Sequence, residues 1–194
     1  MWHKKGVKAR SRSRRVRPPL DSKRLEELAL RYVGRYSTSR AKLAAYLGRK
    51  IRERGWDDKG EPAIEALTAR FAELGYVDDA AYALAKSESL SNRGYGKRRL
   101  DDKLRLAGID DEGGRAARLL SEQRSVESAI RFAQRRRIGP FGSGNGDPRQ
   151  REKAIAALVR AGHSFALAKA IASLAPGAEI DAEALAENSR FADV

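Results

Sequence analysis

Cysteine is absent from the 194 residues, which excludes disulfides, thiolate metal sites and a cysteine nucleophile, and fits a reducing compartment. Histidine occurs only twice, at His3 in the basic N-terminus and at His163 beside a helix boundary, so neither a histidine metal cluster nor a histidine triad is assembled. No uninterrupted apolar run reaches transmembrane length, and the basic N-terminus lacks the apolar segment of a secretory signal, so a soluble, cytoplasmic protein with no membrane contact is expected. The alternation Gly142, Gly144, Gly146 has neither a following Lys-Ser or Lys-Thr pair nor a preceding strand, which excludes a phosphate loop. No catalytic, metal or cofactor constellation is legible. A non-enzyme without a cofactor is the expectation.

Acid is scarce relative to base: 26 Asp and Glu against 40 Lys and Arg give a net charge of +14. Residues 1–20 hold eight of those bases, Lys4, Lys5, Lys8, Arg10, Arg12, Arg14, Arg15 and Arg17, with no acid. With Pro18 and Pro19 behind it and little apolar content, this segment reads as a basic arm without fixed structure until bound. A basic surface attracts polyanions whatever their sequence, so Arg12, Arg14, Arg15 and Arg17 are candidate phosphate contacts. Residues 176–194 have the opposite sign, with Glu179, Asp181, Glu183, Glu187 and Asp193 against Arg190 alone, and read as an acidic tail with a weak helix around Leu185.

Between these ends, a helix-to-glycine unit recurs at 53 to 54 residues, closing on Gly55, Gly108 and Gly162. The fourth and eighth residues before each glycine are Ile51 and Leu47, Leu104 and Leu100, and Leu158 and Ala154, an apolar stripe at helical spacing. Three helices fill each unit. Leu25, Leu28, Tyr32 and Tyr36 mark a helix capped by Asp21 or Ser22; Leu43, Leu47 and Ile51 mark a second, with Trp56 folding back; Ile64, Leu67, Phe71 and Leu74 mark a third from near Pro62 to Gly75. Residues 78–124 repeat the scheme, with Asp78 or Asp79 as cap, a break at Arg93 and Gly94, a helix burying Leu100, Leu104 and Ala107, and a third starting at Asp110 or Asp111 with Ala116, Leu119 and Leu120. Residues 125–175 carry Val126, Ile130 and Ala133, a glycine- and proline-rich surface loop at 139–148, then Ala154, Leu158 and Ala161, and last Phe165, Ala168, Ile171 and Leu174. The fold class is all-α: a tandem array of three three-helix repeats, elongated and curved, with repeats at 21–77, 78–124 and 125–175.

The middle unit carries an identity. GYVDDAAYA at 75–83 followed by SNRGYGKRRLDDKLRLAGI at 91–109 resembles the central repeat of the RecX family of recombination regulators. The likeness rests on Asp78, Asp79, Ala83, Gly94, Lys97, Arg98, Leu100, Leu104, Gly108 and Ile109, and extends more weakly from Leu25 to Leu174. It implies a regulator of homologous recombination and DNA repair, linked to the SOS response, that binds RecA recombinase filaments on single- or double-stranded DNA as a monomer and inhibits their ATPase and strand-exchange activities. Arg93, Tyr95, Lys97, Arg98, Arg99, Lys103 and Arg105, extended by Arg135, Arg136 and Arg137, are then the candidate contacts to RecA and DNA.

Bland roles compete with these. The adjacent acids at Asp57, Asp78, Asp101 and Asp110 read as helix caps, with Asp101 also able to support Arg105 at i+4. Tyr32, Tyr36, Tyr46, Phe71, Tyr76 and Tyr82 have core spacing, which leaves Tyr95, between two glycines, as the exposed stacking candidate. A general DNA- or RNA-binding helical module, with affinity supplied by the basic arm, is the alternative function.

Overall fold

Aspartate and serine side chains start most of the helices. In the computed structural model, which describes residues 17–143 and 147–190, Asp21, Ser39, Asp78, Asp110 and Ser164 each accept a hydrogen bond from the backbone N–H three residues on. These caps open α1 (Ser22–Val33), α2 (Arg40–Arg54), α4 (Asp79–Asn92), α6 (Asp111–Gln123) and α9 (Phe165–Ser173). The others are α3 (Ile64–Glu73), α5 (Lys97–Arg105), α7 (Ser125–Arg136), α8 (Pro148–Arg160) and α10 (Ala182–Arg190), with a 3-10 turn at Gly139–Phe141. Pro62 lies ahead of α3 rather than in its first turn; its carbonyl accepts from the Ile64 N–H.

Three cores follow in chain order. Leu25, Leu43, Leu47 and Phe71 center the first, Leu90, Leu100, Leu104 and Ala117 the second, and Phe132, Leu158, Leu167 and Ile171 the third. Each fully buried Leu, Ile or Phe contributes roughly 1.5–3 kcal/mol. Several apolar positions fall elsewhere than expected. Leu20, counted with the arm, is fully buried in the first core, held by a short parallel bridge to Trp56. Leu74, Leu119 and Phe165 are exposed. The buried face of α6 is instead Gly114, Ala117 and Ser121, small residues that let α4 approach closely, and Ser87 of α4 donates to the Ala117 carbonyl at 2.7 Å.

The surface loop expected at 139–148 and the acidic tail are partly core. Pro140 is buried, Phe141 packs on the third core, and a Cβ on Gly139 would stand 2.1 Å from the Ile171 carbonyl oxygen. Leu185 of α10 is 5% exposed and closes the same core against α7 and α9. Residues 1–16, 144–146 and 191–194, with Arg12, Arg14 and Arg15 among them, lie outside the described residues; Arg17 is exposed.

The second helices of the three units, α2, α5 and α8, stand head to tail. The N-terminus of α5 meets the C-terminus of α8: Gly96 N–H donates to the Ala161 carbonyl at 3.0 Å and Arg98 N–H to the Gly162 carbonyl at 3.2 Å. One unit earlier, the N-terminus of α2 meets the C-terminus of α5, where Ser39 Oγ donates to the Ala107 carbonyl at 2.6 Å. At the α5–α8 joint the free amides and carbonyls of successive helix ends thus satisfy one another directly, while at the α2–α5 joint the Ser39 hydroxyl stands between them. The repeating glycines are the docking points. A Cβ on Gly108 would lie 2.4 Å from the Ala41 Cβ, and one on Gly162 would lie 2.6 Å from the Arg99 nitrogen. Gly55, at the open end, instead receives the incoming chain, with Leu20 N–H donating to its carbonyl at 3.0 Å. The two joints sit at opposite ends of α4, whose 14 residues separate them by about 21 Å. Units therefore contact their sequence neighbors in a line.

Candidate functional site

Two of the paired carboxylates divide their work between units. Asp78 caps its own helix, while Asp79 Oδ1 accepts from the Arg40 N–H of α2 at 2.8 Å. The expected Asp101–Arg105 support is not formed: Arg105 pairs with Asp102, and Asp101 holds Arg118 at 2.9 Å. Arg118 also reaches Asp111 and the carbonyls of Asp110 and Asp111, tying α5 to the start of α6. No group of three or more His, Asp or Glu side chains among the described residues is placed to hold a metal.

At the joint between the second and third units, Gly94, with φ of 74°, lies against the α7 backbone, where a Cβ would come within 2.8 Å of the Phe132 nitrogen. His163 sits beside it, 2% exposed, its Nε2 donating to the Gly94 carbonyl at 3.1 Å and its ring edge-on to Phe132. Burial pushes this imidazole below the usual histidine range, opposed in part by that hydrogen bond. The Arg135 guanidinium donates to the Arg93 carbonyl across the same joint. Tyr95 is half-buried between the second and third cores, with the guanidinium groups of Arg93 and Arg99 at 5.3 and 5.9 Å from its ring center. It is therefore a covered ring rather than the open stacking platform the sequence suggests, whereas Tyr36 and Tyr76 are more than half exposed.

The candidate cations separate into three settings. Lys97 pairs with Glu122 of α6 and Arg105 with Asp102, both at the surface. Arg93, Arg98, Arg99, Lys103, Arg135, Arg136 and Arg137 carry no ion pair among the described residues. Of these, Arg98, Arg99 and Lys103 are exposed, Arg98 and Arg99 away from the buried Leu100 and Leu104 of α5 and Lys103 on the flank of that stripe. Arg136 and Arg137 leave this surface and line a cleft of about 780 Å³ in the third unit, joined by Arg151 and Lys153 and floored by Ile138, Ala154 and Ala157. Arg151 and Lys153 carry no sequence motif; their placement beside Arg136 depends on how α8 returns past the end of α7. Arg137 itself adopts a left-handed conformation, φ 53°, at the helix-end position that glycine fills in α5 and α8.

An all-helical array with unpaired cations on its surface is the architecture of a binding or regulatory protein. The relatives specify which kind. The family model described as "RecX, second three-helix domain" matches residues 78–117. The regulatory protein RecX of Myxococcus xanthus is 34% identical over 177 residues, covering 87% of this chain and 92% of that relative. That of Agrobacterium fabrum is 33% identical over 136 residues, covering 68% and 72%. The crystal structure of RecX from Lactobacillus salivarius shares the fold, with a TM-score of 0.57 at 20% identity over 77% of this chain and 92% of that one. The chain belongs to the RecX family of regulatory proteins and is not an enzyme. No helix among the described residues is long and apolar enough to cross a membrane.

Proposed function

We propose that this protein regulates homologous recombination by binding RecA filaments on DNA and inhibiting their ATP hydrolysis and strand exchange. The observation that carries the proposal, beside the family, is the run of unpaired cations on α5 and around the joint to the third unit: Arg93, Arg98, Arg99, Lys103 and Arg135. A linear array with charge along two successive units suits a repeating polyanionic partner, since many weak contacts along it add through effective concentration. The clefted cations Arg136 and Arg137 extend the contact, and Lys97, Tyr95 and Arg105 add less to it, since each is already engaged by a neighbor. Action as a monomer in the bacterial cytoplasm belongs to the same proposal. The test is DNA-dependent ATP hydrolysis by RecA filaments titrated with the full chain. Hydrolysis should fall with added protein, and unchanged hydrolysis despite demonstrated filament binding would contradict the proposal.

The eight bases of the arm support a second reading, a general nucleic-acid binder. The two separate by salt. Binding through the arm should weaken steeply as salt rises, whereas inhibition through the helical units should persist when the arm's arginines are replaced by serine.

A further inference from the structure

The first unit holds an aromatic and cationic cleft that the filament-binding proposal leaves unused. It lies between the end of α1 and the middle of α2, with a volume of about 480 Å³, inside the range of ligand-binding clefts. Tyr32 and Tyr46 stack across the two helices with ring centers 4.1 Å apart and planes 18° from parallel, forming one wall. Tyr36 continues the wall beyond the helix end, tilted on Tyr32 at 5.2 Å and 51% exposed. Three guanidinium groups join these rings. Arg35 lies 5.7 Å from the Tyr36 ring center and has no ion pair among the described residues; Arg49 lies 5.6 Å from that of Tyr46. Arg31 completes the lining, to which no carboxylate contributes. Its carboxylate neighbor Glu27 and that of Arg49, Glu53, stand outside the cleft at 3.8 and 3.7 Å, near the limit of an ion pair.

From this geometry we infer that the cleft of Tyr36, Arg35 and Arg49 is a subsite for single-stranded nucleic acid, stacking an unpaired base on Tyr36 and holding the flanking phosphates with the arginines. The exposed Tyr36 ring beside the unpaired Arg35 guanidinium and the loosely paired Arg49 matches both halves of a nucleotide, its flat base and its anion. In a duplex the base faces are stacked and only phosphates are offered, so the cleft selects single strands. An acidic peptide would satisfy the arginines but leave Tyr36 without a flat partner.

The test compares binding of the full chain to a fluorescent oligothymidylate and to an abasic oligonucleotide of equal length. Attraction of the basic arm for phosphates is common to both and cancels in their ratio. Base stacking contributes about 1–3 kcal/mol per base, so the wild-type protein should prefer the oligothymidylate by about fivefold or more. Tyr36→Ala should bring the ratio to within about twofold and Tyr36→Trp should restore it, with helical circular dichroism unchanged in both. Arg35→Ser with Arg49→Ser should weaken both oligonucleotides alike and reduce the slope of log affinity against log salt by about 1.4, two phosphates at about 0.7 each. No base preference in the wild-type protein, a preference surviving Tyr36→Ala, or binding of polyglutamate weakened by Tyr36→Ala as strongly as binding of the oligothymidylate would overturn the inference. Inhibition of filament ATP hydrolysis is a separate readout, so failure here leaves the filament proposal standing.

Discussion

The two joints between units share a plan and differ in material. In both, the start of one second helix docks on the glycine-ended tail of the next. At the joint between the first and second units, the links pass through side chains: Ser39 to the Ala107 carbonyl, Asp79 to the Arg40 N–H, and Lys42 to the Tyr82 hydroxyl at 2.9 Å. At the joint between the second and third, backbone bonds to backbone, Gly94, Gly96 and Gly162 allow the approach, His163 is sealed inside, and α7 packs on α4. The difference teaches that the second and third units, which bear most of the candidate cations, are joined through backbone and packed helices, while the first unit is attached through side-chain hydrogen bonds.

Substitution at the backbone joint should break this contrast most strongly. A Cβ on Gly96 would lie 2.4 Å from the Gly162 carbonyl oxygen, where no flexible side chain can yield, so Gly96→Ala should destabilize by on the order of 3 kcal/mol in urea unfolding. Gly108→Ala combines its left-handed φ of 65° with a Cβ 2.4 Å from the Ala41 Cβ, which moves only with the α2 backbone, and should lose about 2–3 kcal/mol. Ser39→Ala removes both the cap of α2 and the donor to the Ala107 carbonyl, for a loss of about 2 kcal/mol, and should raise hydrogen exchange at the first joint while leaving the second unchanged.

Acid should sharpen the contrast from the other side. His163 is held neutral in the fold, its folded pKa below the ordinary value of 6.5. Its contribution is therefore fully present above about pH 6.5, and stability is lost as pH falls through that value, because the unfolded chain binds the proton first. Unfolding midpoints measured from pH 7.5 to 5 should fall for the wild-type protein, and His163→Gln should flatten that part of the profile. The smallest effect is local to α7: Arg137→Gly relieves a left-handed arginine and should add about 0.5–1 kcal/mol in the same unfolding assay.

How much of this was legible in the sequence depended on side-chain size. The helix of Leu100, Leu104 and Ala107 shows as an apolar stripe because large residues recur at helical spacing, and the structure buries all three. The α6 face of Gly114, Ala117 and Ser121 carries almost no hydropathy, so the larger and exposed Leu119 misleads. Repetition of the three glycines was visible, but their docking role was not, since Gly96 and Gly162 are brought together only by the packed units. Site charge was legible in type rather than in availability. Lys97 and Arg98 are neighbors in sequence, yet one is tied to Glu122 and the other is unpaired. Tyr95 lies between glycines yet is half-buried against two cores, while Tyr36 has core spacing and stands at the surface.

That split between paired and unpaired charge gives the most direct measurement of the central claim, the concentration of protein giving half-inhibition of RecA filament ATP hydrolysis. The double variant Arg98→Glu with Lys103→Glu, whose side chains make no ion pair or ring contact among the described residues, should raise that concentration by about tenfold with stability unchanged. Lys97→Glu, which breaks only the pair with Glu122, should change it by less than about threefold. Equal inhibition by the double variant and the wild-type protein, or a larger loss from Lys97→Glu than from the double variant, would contradict the account.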